Sequence, residues 1–61
     1  MTTFTLDIKC DNAAFDPEPG PEIARILREV AEEAEQGELH SMLFDINGNY
    51  VGATEVEEDD E

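Results

Sequence analysis

Residues 43–51, Leu43-Phe44-Asp45-Ile46-Asn47-Gly48-Asn49-Tyr50-Val51, decide how the chain folds back on itself. Apolar residues flank a short run of Asp, Asn and Gly, the types that tolerate tight turns, so the stretch reads as a β-hairpin. Two registers compete. A two-residue Asn47-Gly48 turn pairs Phe44 with Val51, whereas a type I turn over residues 45–48 with a glycine bulge pairs Phe44 with Tyr50. The second is preferred, because it places Asp at the first turn position and Gly where φ must be positive. It sets Leu43, Val51 and Ala53 on one face and leaves Met42, Phe44 and Tyr50 on the other, open face. The hairpin strands then read as 39–44 and 50–56.

Upstream, Ile23, Ile26, Leu27, Val30, Ala31 and Ala34 recur at intervals of three and four, the spacing of one helical stripe. The helix runs from Pro21 to about Gln36. Pro21 suits the first helical position, Gly20 serves as N-cap, and Gly37 supplies the stop. Nearer the N-terminus, Phe4, Leu6 and Ile8 alternate with Thr3, Thr5, Asp7 and Lys9, which predicts a half-buried strand over 3–9. Three prolines make 11–21 an extended linker, with Phe15 as a plug at the edge of the core. The closing run Glu57-Glu58-Asp59-Asp60-Glu61 has nothing to bury and is expected to be disordered. The domain therefore spans 1–56, with 57–61 an acidic tail.

These elements assemble as an α+β fold of order β-α-β-β. A right-handed crossover brings the first two strands into parallel directions and lets the third lie between them, antiparallel to both. The expected sheet is three-stranded, antiparallel and ordered 1-3-2, with the helix on one face. Leu6, Ile8, Ile23, Leu27, Val30, Leu43 and Val51 are the predicted core.

A chain of 61 residues buries only about 60% of the surface its unfolded form exposes. Its one cysteine, Cys10, and one histidine, His40, provide neither a disulfide framework nor a Cys/His metal site. No stretch approaches the roughly 18 apolar residues of a membrane span, and residues 1–10 lack a signal-peptide pattern. The expected location is the cytoplasm, that of a bacterial host if the gene is phage-borne. No enzyme is expected, because Cys10 and His40 stand on different predicted strands without an oxyanion loop. No catalytic residue, cofactor or metal is assigned. Asp45-x-Asn47-x-Asn49 imitates the start of a calcium loop, but Tyr50 stands where glycine is needed and Val56 where glutamate is needed.

Charge dominates the composition. Seventeen Asp and Glu oppose Lys9, Arg25 and Arg28, a formal net charge of −14. Such a field repels nucleic acid and anionic membranes and steers basic partners inward. It also favours a monomer. On the helix, Glu22, Glu29 and Glu33 share one flank and Glu32 lies on the neighbouring face. Arg25 with Glu29 and Arg28 with Glu32 are candidate ion pairs. The arginines come early while Glu32, Glu33, Glu35 and Glu38 crowd the C-terminal end, against the helix dipole. Local rules broken without structural gain tend to mark function.

The Phe-led strand, Asp11-Asn12-Ala13-Ala14-Phe15, the helical Ile26-Leu27-Arg28-Glu29-Val30-Ala31, the stop at Gly37 and Asp45-Ile46-Asn47-Gly48-Asn49-Tyr50-Val51-Gly52 together resemble a group of small phage and prophage proteins. That group is thought to include an anti-CRISPR inhibitor of a type I, I-C, Cascade complex. The likeness covers residues 4 to about 54 and rests on turn and helix signatures, so it carries over no binding residue. It implies a phage product acting on host machinery. The expected function is an acidic DNA mimic that binds the basic DNA-binding groove of Cascade through Glu22, Glu29, Glu32 and Glu33 and blocks target recruitment. The alternative is a non-enzymatic phage adaptor that docks through Met42, Phe44 and Tyr50.

Overall fold

The structure, a computed structural model, describes residues 1–59. Strand β1 covers Thr2–Ile8, helix α1 Gly20–Glu35, strand β2 Met42–Phe44 and strand β3 Tyr50–Glu58. A single 3-10 turn, Ala13–Phe15, interrupts the proline-rich linker. The sheet is antiparallel with the order β1-β3-β2, so the α+β, β-α-β-β architecture is the one read from the sequence.

The hairpin adopts the preferred register, Phe44 opposite Tyr50. Gly48 has φ 86° and donates to the Asp45 carbonyl at 3.0 Å, closing the type I turn. A further irregularity follows. Leu43 pairs with Gly52, which leaves Val51 as an extra residue in β3. The bulge resets the alternation: Leu43 and Val51 are both buried, but Ala53 pairs with Asp7 and Met42 on the open face. The expectation that Ala53 faces the helix is corrected by that one inserted residue.

β2 is shorter than the predicted 39–44 because Thr54 takes over the bonding of its first part. The buried Thr54 hydroxyl accepts from the Ser41 N–H at 2.8 Å and donates to the Leu39 carbonyl at 3.1 Å. β3 in turn is longer than predicted. Glu57 and Glu58 pair with Thr3 and Thr2, and Asp59 exchanges backbone bonds with Met1. The domain thus continues past residue 56: an antiparallel partner satisfies the backbone of these acidic residues, while their side chains remain exposed. Residues 60–61, the end of the predicted tail, lie outside the described residues.

The helix ends as a Schellman motif. Glu38 N donates to the Glu33 carbonyl at 2.9 Å and Gly37 N to the Ala34 carbonyl at 3.0 Å, with Gly37 at φ 89°. Its buried stripe is Glu22, Ile26 and Val30, narrower and rotated relative to the predicted one. Ile26 is 1% exposed, whereas Leu27 is 43% exposed and leaves the predicted core. The core proper is Phe15, Ile26, Val30, Leu43 and Val51, with Leu6, Ile8, Cys10, Ala14 and Ile23 packed around it. Phe15 is therefore a central core residue, fully buried, rather than an edge plug. Among the described residues no helix is long and apolar enough to cross a membrane.

Candidate partner-binding surface

Glu22 sets the rotation of the helix. Its side chain is only 8% exposed. One oxygen, Oε2, accepts from Arg25 Nη2 and from the Ile46 N–H, both at 2.8 Å, and Oε1 accepts from Arg25 Nε at 3.1 Å. Arg25 also donates to the Phe44 carbonyl at 3.0 Å and to Glu29 Oε2 at 2.8 Å. The Arg25 guanidinium holds the Glu22 carboxyl below its ordinary value; burial opposes this, and the Ile46 amide reinforces it. Glu22 consequently belongs to an internal clamp between helix and hairpin, and its assignment to the partner-binding set is corrected. A carboxylate at this position appears as one more surface acid in a helical projection. Its one distant partner, the Ile46 N–H, lies across the fold in the hairpin turn.

Asp45 is the second buried carboxylate. Its Oδ1 accepts from the N–H groups of Asn47 and Asn49, both at 2.9 Å. Its Oδ2 accepts from Asn12 Nδ2 at 2.9 Å and Asn49 Nδ2 at 3.1 Å. Burial alone would raise the Asp45 carboxyl, but these four donors outweigh it and hold the group below its ordinary value. With its oxygens turned to N–H donors, Asp45 organises the turn and ties it to the linker through Asn12. The sequence marked Asp45 as a turn residue; nothing in it marked Asn12, Ser41 or Thr54 as partners.

The remaining helix carboxylates divide by exposure. Glu29 and Glu32 are exposed and Glu33 is half-buried. Glu29, with its side chain 61% exposed, shares Arg25 with Glu22. Glu33 accepts from the Ser41 hydroxyl at 2.6 Å. Among the described residues Arg28 makes no ion pair, so the predicted Arg28–Glu32 bridge is absent while Arg25–Glu29 forms. Glu22, Arg25, Glu29 and Glu33 all lie on the flank beside β2, and Glu32 adds an unpaired carboxylate beyond them. No basic residue occupies the last turn.

The opposite, open face of the sheet carries the other predicted set. Met42, Phe44 and Tyr50 are all well exposed, and the rings of Phe44 and Tyr50 meet edge to face with centroids 6.0 Å apart. Beside Tyr50 a shallow cavity of about 510 Å³ is lined by Asp7, Lys9, Gly52 and Ala53 among others. Gly52 leaves no room for a side chain, because a Cβ there would collide with the Asp7 carbonyl oxygen of β1. Glu55 and Glu57 continue this face along β3 by strand alternation. The fold thus separates two surfaces, an acidic flank on α1 and an aromatic patch rimmed by acids on the sheet. Compared with known proteins, the chain matches no family model, no curated protein and no solved structure.

Proposed function

We propose that the protein is a non-enzymatic inhibitor of the anti-CRISPR kind, an acidic mimic that occupies the basic DNA-binding groove of a type I Cascade complex and blocks target recruitment. The observation that carries this reading is charge per length. The body measures 44 × 21 × 17 Å. Setting Asp60 and Glu61 aside, the net charge of −14 becomes −12 for residues 1–59. One strand of DNA carries a charge about every 3.4 Å, or about 13 over the same length. Over its length the protein therefore carries a net charge comparable to that of a single phosphate backbone, with the carboxylates of Glu22 and Asp45 held internally and the others distributed over the helix flank and the open face of the sheet.

Grooves built for phosphate use Lys and Arg side chains, and carboxylates on a helix supply the same charge-assisted acceptors. Glu29, Glu32 and Glu33 form the proposed centre of contact. Changing all three to Gln keeps an acceptor for Ser41 and, at Glu32 and Glu33 in the last turn, relieves unfavourable charge worth about 0.3–1 kcal/mol each. The Arg25–Glu29 pair that is lost is largely exposed and of similar small value. Melting is expected to be unchanged or raised, while inhibition of DNA binding by purified Cascade falls sharply.

A second reading is favoured by the exposed Phe44–Tyr50 pair, a rigid aromatic surface of the type enriched at binding hot spots. It makes the chain an adaptor that docks through Met42, Phe44 and Tyr50. If Phe44→Ala or Tyr50→Ala abolishes partner binding while the triple Gln variant binds normally, the adaptor reading replaces the mimic.

A further inference from the structure

The two edges of the sheet are treated differently. β2 is three residues long, and the Phe44 carbonyl near its end is capped by Arg25. Short length and a covering side chain are the devices by which proteins blunt an edge. β1 has neither. It runs seven residues in unbroken register with β3, contains no proline, and carries no charge from Thr2 through Leu6.

The hydrogen-bond phase tells which groups are free. Met1 and Asp59 exchange both backbone bonds, and Lys9 N donates to the Val51 carbonyl. Bonded pairs alternate in an antiparallel ladder, so Thr3, Thr5 and Asp7 turn their N–H and C=O groups to β3. Phe4, Leu6 and Ile8 turn theirs outward. Among the described residues only the Cys10 thiol approaches any of these, reaching the Ile8 carbonyl at 3.9 Å.

The helix provides a wall beside this edge. Its flank of Glu22, Arg25 and Glu33 is fixed to the β2 side through Ile46, Phe44 and Ser41. At 3.6 residues per turn, Leu27, Ala31 and Ala34 fall on the other flank, and all three are exposed. Phe4, on the helix-side face of β1, is 45% exposed.

We infer that the free edge of β1 is a docking site for an extended segment of a basic partner, which adds to the sheet as a fourth strand. Main-chain bonds to Phe4, Leu6 and Ile8 supply the register, as in other strand additions. Alternation of the incoming strand supplies the chemistry. Residues on the helix side are apolar and cover Phe4 and Leu27; residues on the open side are Lys or Arg placed beside Thr3 to Asp7 and short of Lys9, with Glu55 and Glu57 one strand away. The net charge selects this occupant over a second copy, because two chains of −14 repel. The inference is separate from the helix carboxylates and stands or falls without them.

The test uses a decapeptide of alternating valine and lysine, with a glycine–lysine decapeptide of equal charge as control, and residue-resolved amide hydrogen exchange of the full chain at low salt. The amides of Phe4, Leu6 and Ile8 exchange freely in the protein alone and slow at least about ten-fold with the valine peptide, the effect of pairing an exposed amide. Those of Thr3, Thr5 and Asp7 change little, and the glycine peptide protects none of them. Leu27→Asp melts lower but stays folded at the assay temperature, and it binds the valine peptide about ten-fold more weakly. The Glu29/Glu32/Glu33→Gln variant retains the protection, so loss of its DNA competition bears on the proposed function alone. Valine-peptide binding without protection of Phe4 and Leu6, or no binding, overturns the inference. Protection of those amides in the protein alone, with a dimer in sedimentation, makes a second copy the occupant and overturns it equally.

Discussion

Truncating Ile26 separates the observed helix phase from its neighbour. Ile26 is enclosed by the core, and Ile→Ala removes three carbons. At about 0.8 kcal/mol per buried methylene the transfer loss is about 2.4 kcal/mol, and the cavity left behind brings the total into the range of about 2–5 kcal/mol. Leu27 lies one position on, about 100° around the helix, and much of its surface already meets solvent. Leu27 is 43% exposed, so Leu27→Ala leaves no closed cavity and loses only the covered share of that transfer term, about 1.4 kcal/mol. A domain of this length holds roughly 3–9 kcal/mol in all, so Ile26→Ala takes a large share of it and Leu27→Ala a small one. Urea titration followed by far-UV circular dichroism reads both as midpoint shifts at constant slope. An equal or larger shift for Leu27→Ala would mean that the Glu22–Arg25 clamp does not set the rotation of the helix, and the reasoning would fail.

Gly52→Ala is expected to unfold the protein or strip β1 from β3, since its Cβ would collide with the Asp7 carbonyl, whereas Gly20→Ala, with nothing within 4 Å, melts as the parent does; thermal melts of the two variants check this. Glu22 and Asp45 both have carboxyls held below their ordinary values of 4.5 and 3.8. Their stabilisation is therefore complete above those values and is lost as the pH falls through the lower folded-state values. Glu22→Gln and Asp45→Asn start less stable at neutral pH and lose less on acidification, which acid titrations of the unfolding midpoint measure. Sodium chloride raises the melting temperature, because the Debye length shrinks from about 10 Å at 0.1 M to about 3 Å at 1 M and the self-repulsion of the −14 charge is screened.

The strands, the helix and the turn register were legible because each is a local pattern: alternation in 3–9, a three-four repeat after Pro21, Asp45 and Gly48 in their turn positions; the sheet order followed from the right-handed crossover. The helix rotation was not. An apolar stripe centred on Ile26 and Leu27 admits several phases, and the structure chooses the one that buries Glu22, a carboxylate held by Arg25 one turn on and by the Ile46 amide 24 residues away. The bulge at Val51 was equally hidden, since only the pairing of Leu43 with Gly52 and of Phe44 with Tyr50 reveals the inserted residue. Like-charge repulsion made 57–61 look unstructured, and only pairing with β1 gives Glu57 and Glu58 a reason to be extended. For the partner-binding set, spacing could group Glu29, Glu32 and Glu33, but it could not tell a free carboxylate from the clamped Glu22.

The central claim, that the acidic body stands in for nucleic acid, is tested most directly by measuring its affinity for a purified type I-C Cascade complex across a salt series, with and without duplex target DNA. A mimic of a phosphate row loses affinity steeply and linearly in log affinity against log salt, as charge-dominated complexes do, and is displaced by duplex DNA at concentrations matching the DNA's own affinity. Tight binding that is nearly independent of salt and undisturbed by saturating DNA would contradict it.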